Sequence, residues 1–300
     1  MRVAQGRVAR ILTRTSGYLS EVTSHSLQPY RGCSFGKSLC GQSCYVAHNR
    51  FLTRGEPWGS FLEARLNAAE SYLERAPAER RWARRQGRDF SIFMASSTEP
   101  FLPQERQFGV TRSVLEAMLD EPPDALVVQT HSAAVAEQAE LLARLAQRCQ
   151  LRVHLSIETD RERFEGLPAH ASPVAARFEA AGQLRDCGLR VVVTVSPLLP
   201  LEAPERFFEA IDRVAQATVL DHYIEGDGSQ NGSRTIATGL PALLGPRYPD
   251  WPNLAYRDAM AAVASRVMQG EVGISRDGFA ARYLSPIQRR ELEERYPCSG

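Results

Sequence analysis

The chain has 300 residues, of which 43% are hydrophobic and 24% are charged, as in ordinary globular proteins. Its formal net charge is +1, so no overall electrostatic attraction to nucleic acid is expected. No apolar run has the length of a membrane helix, and the N-terminus lacks the apolar core of a secretory signal. These features predict a soluble, cytoplasmic protein with no membrane partner.

After an N-terminal segment at 1–25, the chain alternates apolar runs with segments of helical period. The helical segments are Trp58–Arg75, Val135–Cys149 and Pro173–Cys187. The runs that predict strands are Ser26–Tyr30, Phe90–Ala95, Ala125–Gln129, Leu151–Ile157, Leu189–Val195 and Thr218–Ile224.

Nearly continuous apolar strands that alternate with helices indicate a parallel sheet. We therefore predict an α/β fold over residues 26–225, a partial (β/α)6 barrel of the TIM type with parallel strands. A doubly wound open sheet is the alternative. In both folds the functional site lies where the strands end at their C-terminal edge.

The pattern changes after residue 225. The sequence EGDGSQNGS is a loop by composition, and helical segments follow at Ala255–Gln269 and Gln288–Arg295. Residues 226–300 are therefore predicted to form a C-terminal helical extension that packs on the barrel.

Three of the six cysteines, Cys33, Cys40 and Cys44, lie close together in the sequence. In a reducing cytosol, crowded cysteines indicate a metal site more often than disulfides. Thiolates suit iron, and the glycines of this loop let the sulfurs converge. With no fourth cysteine nearby, a [4Fe–4S] cluster would keep one iron open. A structural zinc site that takes His48 as its fourth ligand is the alternative.

The stretch SLQPYRGCSFGKSLCGQSCYV resembles the radical S-adenosylmethionine (SAM) superfamily, and within it the spore photoproduct lyase-like branch. Gln28–Cys33 is similar to the branch's N-P-Y-x-G-C motif, and Tyr45 supplies an aromatic residue after the last cysteine. Further similar segments follow in order over about residues 10–225, namely PWGSFLEARLNAAESYL (57–73), SSTEPFLPQE (96–105), THS (130–132), SIETD (156–160) and ASPVAARFEAAGQLRDCGLRVVVTVSPLLP (171–200).

Two departures stand out. The cysteine spacing is C-x6-C-x3-C, where the family has C-x3-C-x2-C. His131 stands where the branch has a lysine, so the contact to the SAM carboxylate is altered there or passes to an arginine or to Lys37.

The resemblance implies a [4Fe–4S] cluster on the three cysteines, SAM bound beside it, and an electron donor such as a flavodoxin or a ferredoxin. Tyr45 and the segment around Ser196 would contact the adenine. Residues 96–98 would approach the methionine amino group, and strand four would face the ribose. The residues implied to contact SAM are Tyr45, Ser96, Ser97, Thr98, His131, Ser156, Glu158 and Ser196.

The substrate is open. The branch's named activity reverses a thymine-dimer photoproduct in DNA, and the arginines of RRWARRQGR (80–88) could hold phosphates. We favour a solvated helix end that covers Trp82, so a nucleic acid partner is not favoured.

The branch's cysteine hydrogen donor after strand two has no counterpart here, which argues against an identical repair reaction. Tyr223, Tyr283 and Cys298 are candidate replacements. The sequence thus predicts a radical SAM enzyme that abstracts hydrogen from an undetermined substrate, with a DNA photoproduct repair lyase and a zinc-stabilised scaffold as alternatives.

Overall fold

The computed structural model describes residues 1–297, and we number strands and α-helices in chain order. The strands are β1 (Arg2–Gly6), β2 (Leu12–Arg14), β3 (His25–Leu27), β4 (Tyr30–Gly32), β5 (Phe61–Arg65), β6 (Ser91–Met94), β7 (Ala125–Thr130), β8 (Gln150–Ser156), β9 (Val191–Val195), β10 (Ala217–Leu220) and β11 (Glu271–Ile274). The helices are α1 (Leu39–Ser43), α2 (Arg50–Thr53), α3 (Ala68–Arg85), α4 (Glu105–Phe108), α5 (Val110–Asp120), α6 (Ala139–Ala146), α7 (Val174–Asp186), α8 (Pro204–Val214), α9 (Tyr223–Gly226), α10 (Ser233–Ile236), α11 (Leu240–Leu244), α12 (Leu254–Val267), α13 (Ser275–Phe279) and α14 (Pro286–Arg295). None of these helices has both the length and the apolar character that crossing a bilayer requires.

The main sheet has eight strands in the order β11-β10-β9-β8-β7-β6-β3-β2. All neighbours pair in parallel except β2 and β3. Every residue of β9 and β10 is buried, as expected for strands covered on both faces. The predicted partial TIM-type fold with six parallel strands is confirmed. The C-terminal extension also contributes β11, a seventh parallel strand that the sequence analysis did not predict.

A small second sheet, in the order β1-β5-β4, precedes the barrel. The helix predicted over Trp58–Arg75 is wrong in its first part, because Phe61–Arg65 is a strand and α3 begins only at Ala68. The pairing of β5 with β1 on one side and β4 on the other overrides the helical spacing of its apolar residues. The predicted strand at Ser26–Tyr30 is likewise divided between β3 and β4, and β4 leads directly into Cys33.

The centre of the barrel is filled by aromatic side chains from both ends of the chain. The sheet runs from β11 to β2 without closing, and Phe279 of α13 enters the interior. Its ring lies 6.3 Å from that of Phe93, 5.8 Å from that of His154 and 6.4 Å from that of Tyr18. Tyr18 belongs to a 3-10 turn at Gly17–Glu21, so segments outside the predicted core complete the interior.

Replacing Phe279 with alanine should therefore lower the free energy of unfolding by about 3–5 kcal/mol, the cost of removing a buried phenylalanine. Phe51 is the matched control because its side chain is 95% exposed, and Phe51→Ala should change stability by less than about 0.5 kcal/mol. Urea unfolding measures both. Equal unfolding midpoints for the two variants would contradict this account of the barrel interior.

Candidate functional site

A cavity of about 440 Å³ opens at the C-terminal ends of the parallel strands, as expected for a TIM-type fold. Its wall combines the cysteine loop after β4 with residues at the end of β8 and residues that follow β6, β7, β9 and β10. The predicted site residues that line it are Cys33, Cys40, Cys44, Tyr45, Ser96, Ser97, Thr98, His131, Ser156, Ser196 and Tyr223. The fold therefore brings most of the predicted site together.

All three loop cysteines are free thiols in this wall. Burial raises the pKa of Cys33 and Cys40 well above the usual thiol range and that of Cys44 to about 11. Hydrogen bonding opposes this rise in pKa, from the main chain of Phe35 and Glu99 at Cys33, and from the main chain of Val46 and Ala47 and the Trp58 side chain at Cys44. Such hydrogen bonds stabilise metal-bound thiolates and tune the potential of iron–sulfur clusters.

The long spacing between the cysteines is taken up by regular structure. A 3-10 turn at Ser34–Lys37 and helix α1 occupy the extra residues, and the Ser38 hydroxyl caps α1. The loop packs through glycine: a Cβ at Gly36 would lie 2.2 Å from the Gly59 Cα, and one at Gly41 would lie 2.3 Å from the Gly36 carbonyl carbon. Only hydrogen fits at these contacts, so the glycines fix the path that carries Cys40 and Cys44 to the cavity.

The zinc alternative requires four ligands grouped around one ion. Among residues 1–297, no three His, Cys, Asp or Glu side chains are grouped so that they could hold a single metal ion. His48, the expected fourth ligand, does not line the cavity. The same result applies to Cys33, Cys40 and Cys44, whose thiols share the cavity wall without forming such a group.

The loop after β6 presents Ser96, Ser97 and Thr98 to the cavity. Ala95 begins it with φ = 67°, a left-handed conformation that turns the chain away from the strand. Gln28 holds the loop, since its Nε2 donates to Ser96 Oγ (2.8 Å) and its Oε1 accepts from Thr98 Oγ1 (3.0 Å). Tyr45 adds a hydrogen bond from its hydroxyl to the Ser96 carbonyl (2.7 Å). The aromatic residue after the last cysteine and the QPY segment thus converge on one loop.

Two buried carboxylates organise the strand ends around His131. Glu99 accepts hydrogen bonds from Thr130 Oγ1 (2.6 Å) and from the His131 main-chain N–H (2.8 Å). Glu158 lies 2.6 Å from His131 Nδ1 and 2.6 Å from Arg177 Nη1. Burial alone would raise the pKa of Glu158, but Arg177 and His131 outweigh it and hold the pKa far below the usual range. Glu158 does not line the cavity and meets it only through His131.

Gln129 and Ser156 form the floor between β7 and β8. Gln129 Nε2 donates to Ser156 Oγ (2.9 Å) and Thr194 Oγ1 (3.2 Å). Its Oε1 is buried, has no hydrogen-bond partner and belongs to a side chain of the cavity wall. An unpaired buried acceptor is costly, so this oxygen marks a place for a donor from a ligand.

The three candidate hydrogen donors have different outcomes. Tyr223 lines the cavity. Tyr283 does not, and its ring lies under the guanidinium of Arg190, 5.8 Å away. Cys298 lies outside the described residues.

The arginine-rich segment lies at the other end of the sheet from the cavity. The segment ends α3 and precedes the first residue of β6. The cavity, in contrast, lies at the end of β6, where the strand gives way to its following loop. Arg80 donates to Glu121 (2.8 Å) and Arg88 to the Thr23 carbonyl (3.0 Å). Trp82 is covered by Arg14, 4.2 Å from the ring centre. Two of the five arginines of this segment, Arg80 and Arg88, therefore have structural partners within the protein.

Several site residues were missed by sequence reasoning. Gln28, Glu99 and Arg177 stand inside segments quoted for the resemblance but were given no role, and Gln129 ends one of the apolar runs. A charged or amide residue at or just beyond the end of an apolar strand was the available clue for Glu99 and Gln129. Arg177 was missed because the apolar residues of its helix already define a buried face, and the sequence does not reveal that Arg177 lies on that face.

The comparisons with known proteins agree with the fold. No protein-family model matches the chain. A protein of the Acidianus two-tailed virus, described as "Uncharacterized protein ORF301", is 31% identical over 166 residues, which cover 52% of this chain. The match spans about half of that relative's length (51%).

Solved structures of spore photoproduct lyase resemble the chain over most of its length. A mutant with bound AdoMet and dinucleoside spore photoproduct has a TM-score of 0.58 at 12% identity, covering 91% of this chain and 80% of that one. Another mutant has a TM-score of 0.59 at 14% identity, covering 91% and 81%. The chain therefore has the fold of spore photoproduct lyase, as the sequence resemblance implied.

The buried pair between Glu158 and Arg177 gives a stability prediction. Arg177→Met should lower the free energy of unfolding by about 3–5 kcal/mol near neutral pH, because it leaves the buried carboxylate without its partner. The native pKa of Glu158 is depressed, so the pair's stabilisation is complete above the unfolded pKa of about 4.3 and is lost as the pH falls through the native value. The deficit of the variant should therefore narrow in acid.

Urea unfolding at neutral and acidic pH measures this difference. Arg112→Met is the control, because it breaks an exposed i,i+4 pair with Glu116 worth less than about 0.5 kcal/mol. A deficit of the Arg177 variant that does not change with pH would show that Glu158 is not held ionised by this contact.

Proposed function

We propose that the chain is a radical SAM enzyme that binds a [4Fe–4S] cluster on Cys33, Cys40 and Cys44. The observation that carries the proposal is the shared cavity, whose wall contains three thiols, one buried and two partly buried, and polar side chains from the ends of parallel strands. Three ligands leave one iron without a protein ligand, and the amino and carboxylate groups of SAM are suited to fill that position. The electron would come from a flavodoxin or a ferredoxin.

Bound there, the cluster and SAM would supply the chemistry, which is one-electron cleavage of the C5′–S bond of SAM to methionine and a 5′-deoxyadenosyl radical. The protein holds SAM in place and keeps water from the site. The backbone of 96–98, fixed by Gln28, is proposed to contact the methionine amino group. His131, which Glu158 positions, is proposed to replace the family's lysine at the SAM carboxylate.

The remaining contacts are proposed for the nucleoside. Tyr45 and Ser196 would flank the adenine, as the resemblance implies. Ser156 and the free Oε1 of Gln129 would face the ribose, whose hydroxyls are the donors that this oxygen lacks. Glu158, turned toward Arg177 and His131, is proposed to act through His131 and not by direct contact.

Repair of a DNA photoproduct is a weaker candidate. The two mutants compared above share the fold at low identity, but the arginine-rich segment of this chain lies at the sheet edge opposite the cavity. DNA held there would not present a base to SAM. We therefore propose hydrogen abstraction from a substrate that enters the cavity itself.

Anaerobic reconstitution with iron and sulfide, followed by dithionite and SAM, tests the proposal. The wild-type protein should retain iron and sulfide and release 5′-deoxyadenosine. Cys40→Ala should retain less iron and release none. Cys187→Ala is the control, since Cys187 is exposed and outside the cavity, and should behave as wild type. A cluster-loaded, reduced wild-type sample that releases no 5′-deoxyadenosine would refute the catalytic proposal.

Loop packing gives a second test. Gly36→Ala should reduce iron retention to a small fraction of the wild-type value, because its methyl group would displace the backbone of Gly59 and with it the cysteine loop. Gly182→Ala is the matched control, because the nearest atom to its new methyl group is Val214 Cγ1 at 3.8 Å. Iron content measured after desalting compares them. Wild-type iron content in the Gly36 variant would show that the loop adapts.

A further inference from the structure

The cavity has a second end, at β9 and β10. Ser196 follows β9 and Asp221 follows β10, and the Ser196 hydroxyl donates to Asp221 (3.2 Å). Gln28 and Tyr45 bond instead to the loop that follows β6. Three strands, β7, β8 and β9, separate β6 from β10 in the sheet, so the two groups line different parts of the cavity wall.

Asp221 presents a free carboxylate oxygen at this second end. It follows β10 directly, is 4% exposed and lines the cavity. Its Oδ2 accepts a hydrogen bond from Ser196 Oγ (3.2 Å), whereas its Oδ1 is buried without a partner. Burial raises the pKa of Asp221 to about 6, opposed by Ser275, Ser196 and Arg257, so the carboxylate is mainly ionised at neutral pH. A buried charge with an unpaired oxygen calls for a donor.

The position of this carboxylate is fixed by its surroundings. The main chain of Asp221 bonds to Val195 and Leu198 (3.0 and 2.8 Å). A Cβ at Gly226 would lie 2.6 Å from Oδ2 and 2.7 Å from Oδ1, so the absence of a side chain at 226 makes room for the carboxylate. The group is held ready for a ligand at little further cost in conformational entropy.

The charges around Asp221 leave room for a cation, because the nearby Arg257 is paired with Asp258 (2.8 Å) and Glu225 (3.6 Å). Asp227 is a second buried carboxylate, satisfied by Ser229 and Thr235, and Arg234 is turned to the Asp227 carbonyl (3.2 Å). Burial lowers the pKa of His222 to about 4, so it is neutral. The rings of Tyr18, His222, Tyr223 and Phe279 line the same cavity, and aromatic faces attract ammonium groups.

We propose that Asp221 and the surrounding rings form a substrate subsite that binds a protonated amine. The inference rests on the proposed function, because Ser196, which donates to Asp221, is also proposed to flank the adenine, so the subsite would lie directly beside SAM. Asp221 would bind the ammonium group and so position the carbon to be attacked. The substrate class is then a small organic amine, not a neutral nucleobase.

Benzylamine and its neutral analogue benzyl alcohol are suitable probes, titrated into anaerobically reconstituted protein with SAM and followed by ligand-observed NMR. Benzylamine should bind wild type more tightly than benzyl alcohol does. Asp221→Asn should weaken benzylamine about tenfold, the effect of one charged hydrogen bond, and leave benzyl alcohol unchanged. Gly226→Ala should act in the same direction by displacing the carboxylate. Asp186→Asn, at an exposed position, should have no effect.

Several outcomes would overturn the subsite. The subsite is refuted if wild-type protein binds benzylamine and benzyl alcohol equally well, or if it binds neither. An equal loss of SAM binding in Asp221→Asn would place Asp221 in the SAM site and leave the proposed function intact. If thymidine also binds, and Asp221→Asn weakens its binding as much as that of benzylamine, the ligand group at Asp221 is a neutral hydrogen-bond donor. Failure to load iron or cleave SAM, with amine discrimination preserved, would refute the proposed function alone.

Discussion

The common direction of the parallel strands is the constraint on which the rest of the structure depends. Because β3 and β6–β10 all end at one edge, residues distant in sequence, such as Cys33, Ser97, Gln129 and Asp221, line one cavity. The hydrogen bonds of the sheet set the spacing between these loops, and the side chains of the loops then line the space between them. The cavity is therefore a property of the sheet, and its chemistry belongs to the loops.

Burial then decides how each polar group is used. Glu99 and Glu158 are satisfied by hydrogen bonds and an ion pair, and they hold His131 between them. Gln129 and Asp221 instead each retain one unpaired oxygen facing the same space. Satisfied groups stiffen a site, while unsatisfied ones point to ligands. In sheet order, the satisfied Glu99 and Glu158 alternate with Gln129 and Asp221, which each keep an unpaired oxygen. Such an arrangement combines rigid positioning with contacts left for a ligand.

Much of this could be read from the sequence because the signals were local. The parallel strands followed from uninterrupted apolar runs, and the cysteine loop from its crowded thiols. Strand β5 could not be predicted, because Phe61, Leu62 and Arg65 suit a helical face equally well and only pairing with β1 and β4 decides. Arg177 was missed for a similar reason, since a charge within a helix reveals its buried partner only in three dimensions.

The aromatic interior of the barrel links the two ends of the chain. Tyr18 and Phe279 meet inside it, and Arg282 donates to the carbonyl of Glu21 across a separation of 261 residues. Closing so long a stretch of chain costs conformational entropy. The cysteine loop also depends on distant segments, because the Leu39 main chain bonds to Ala169 (2.9 Å) and the Gln42 side chain to Thr238 (3.0 Å). Changes that loosen the packing of either terminal segment should therefore disturb the centre of the barrel as well as its surface.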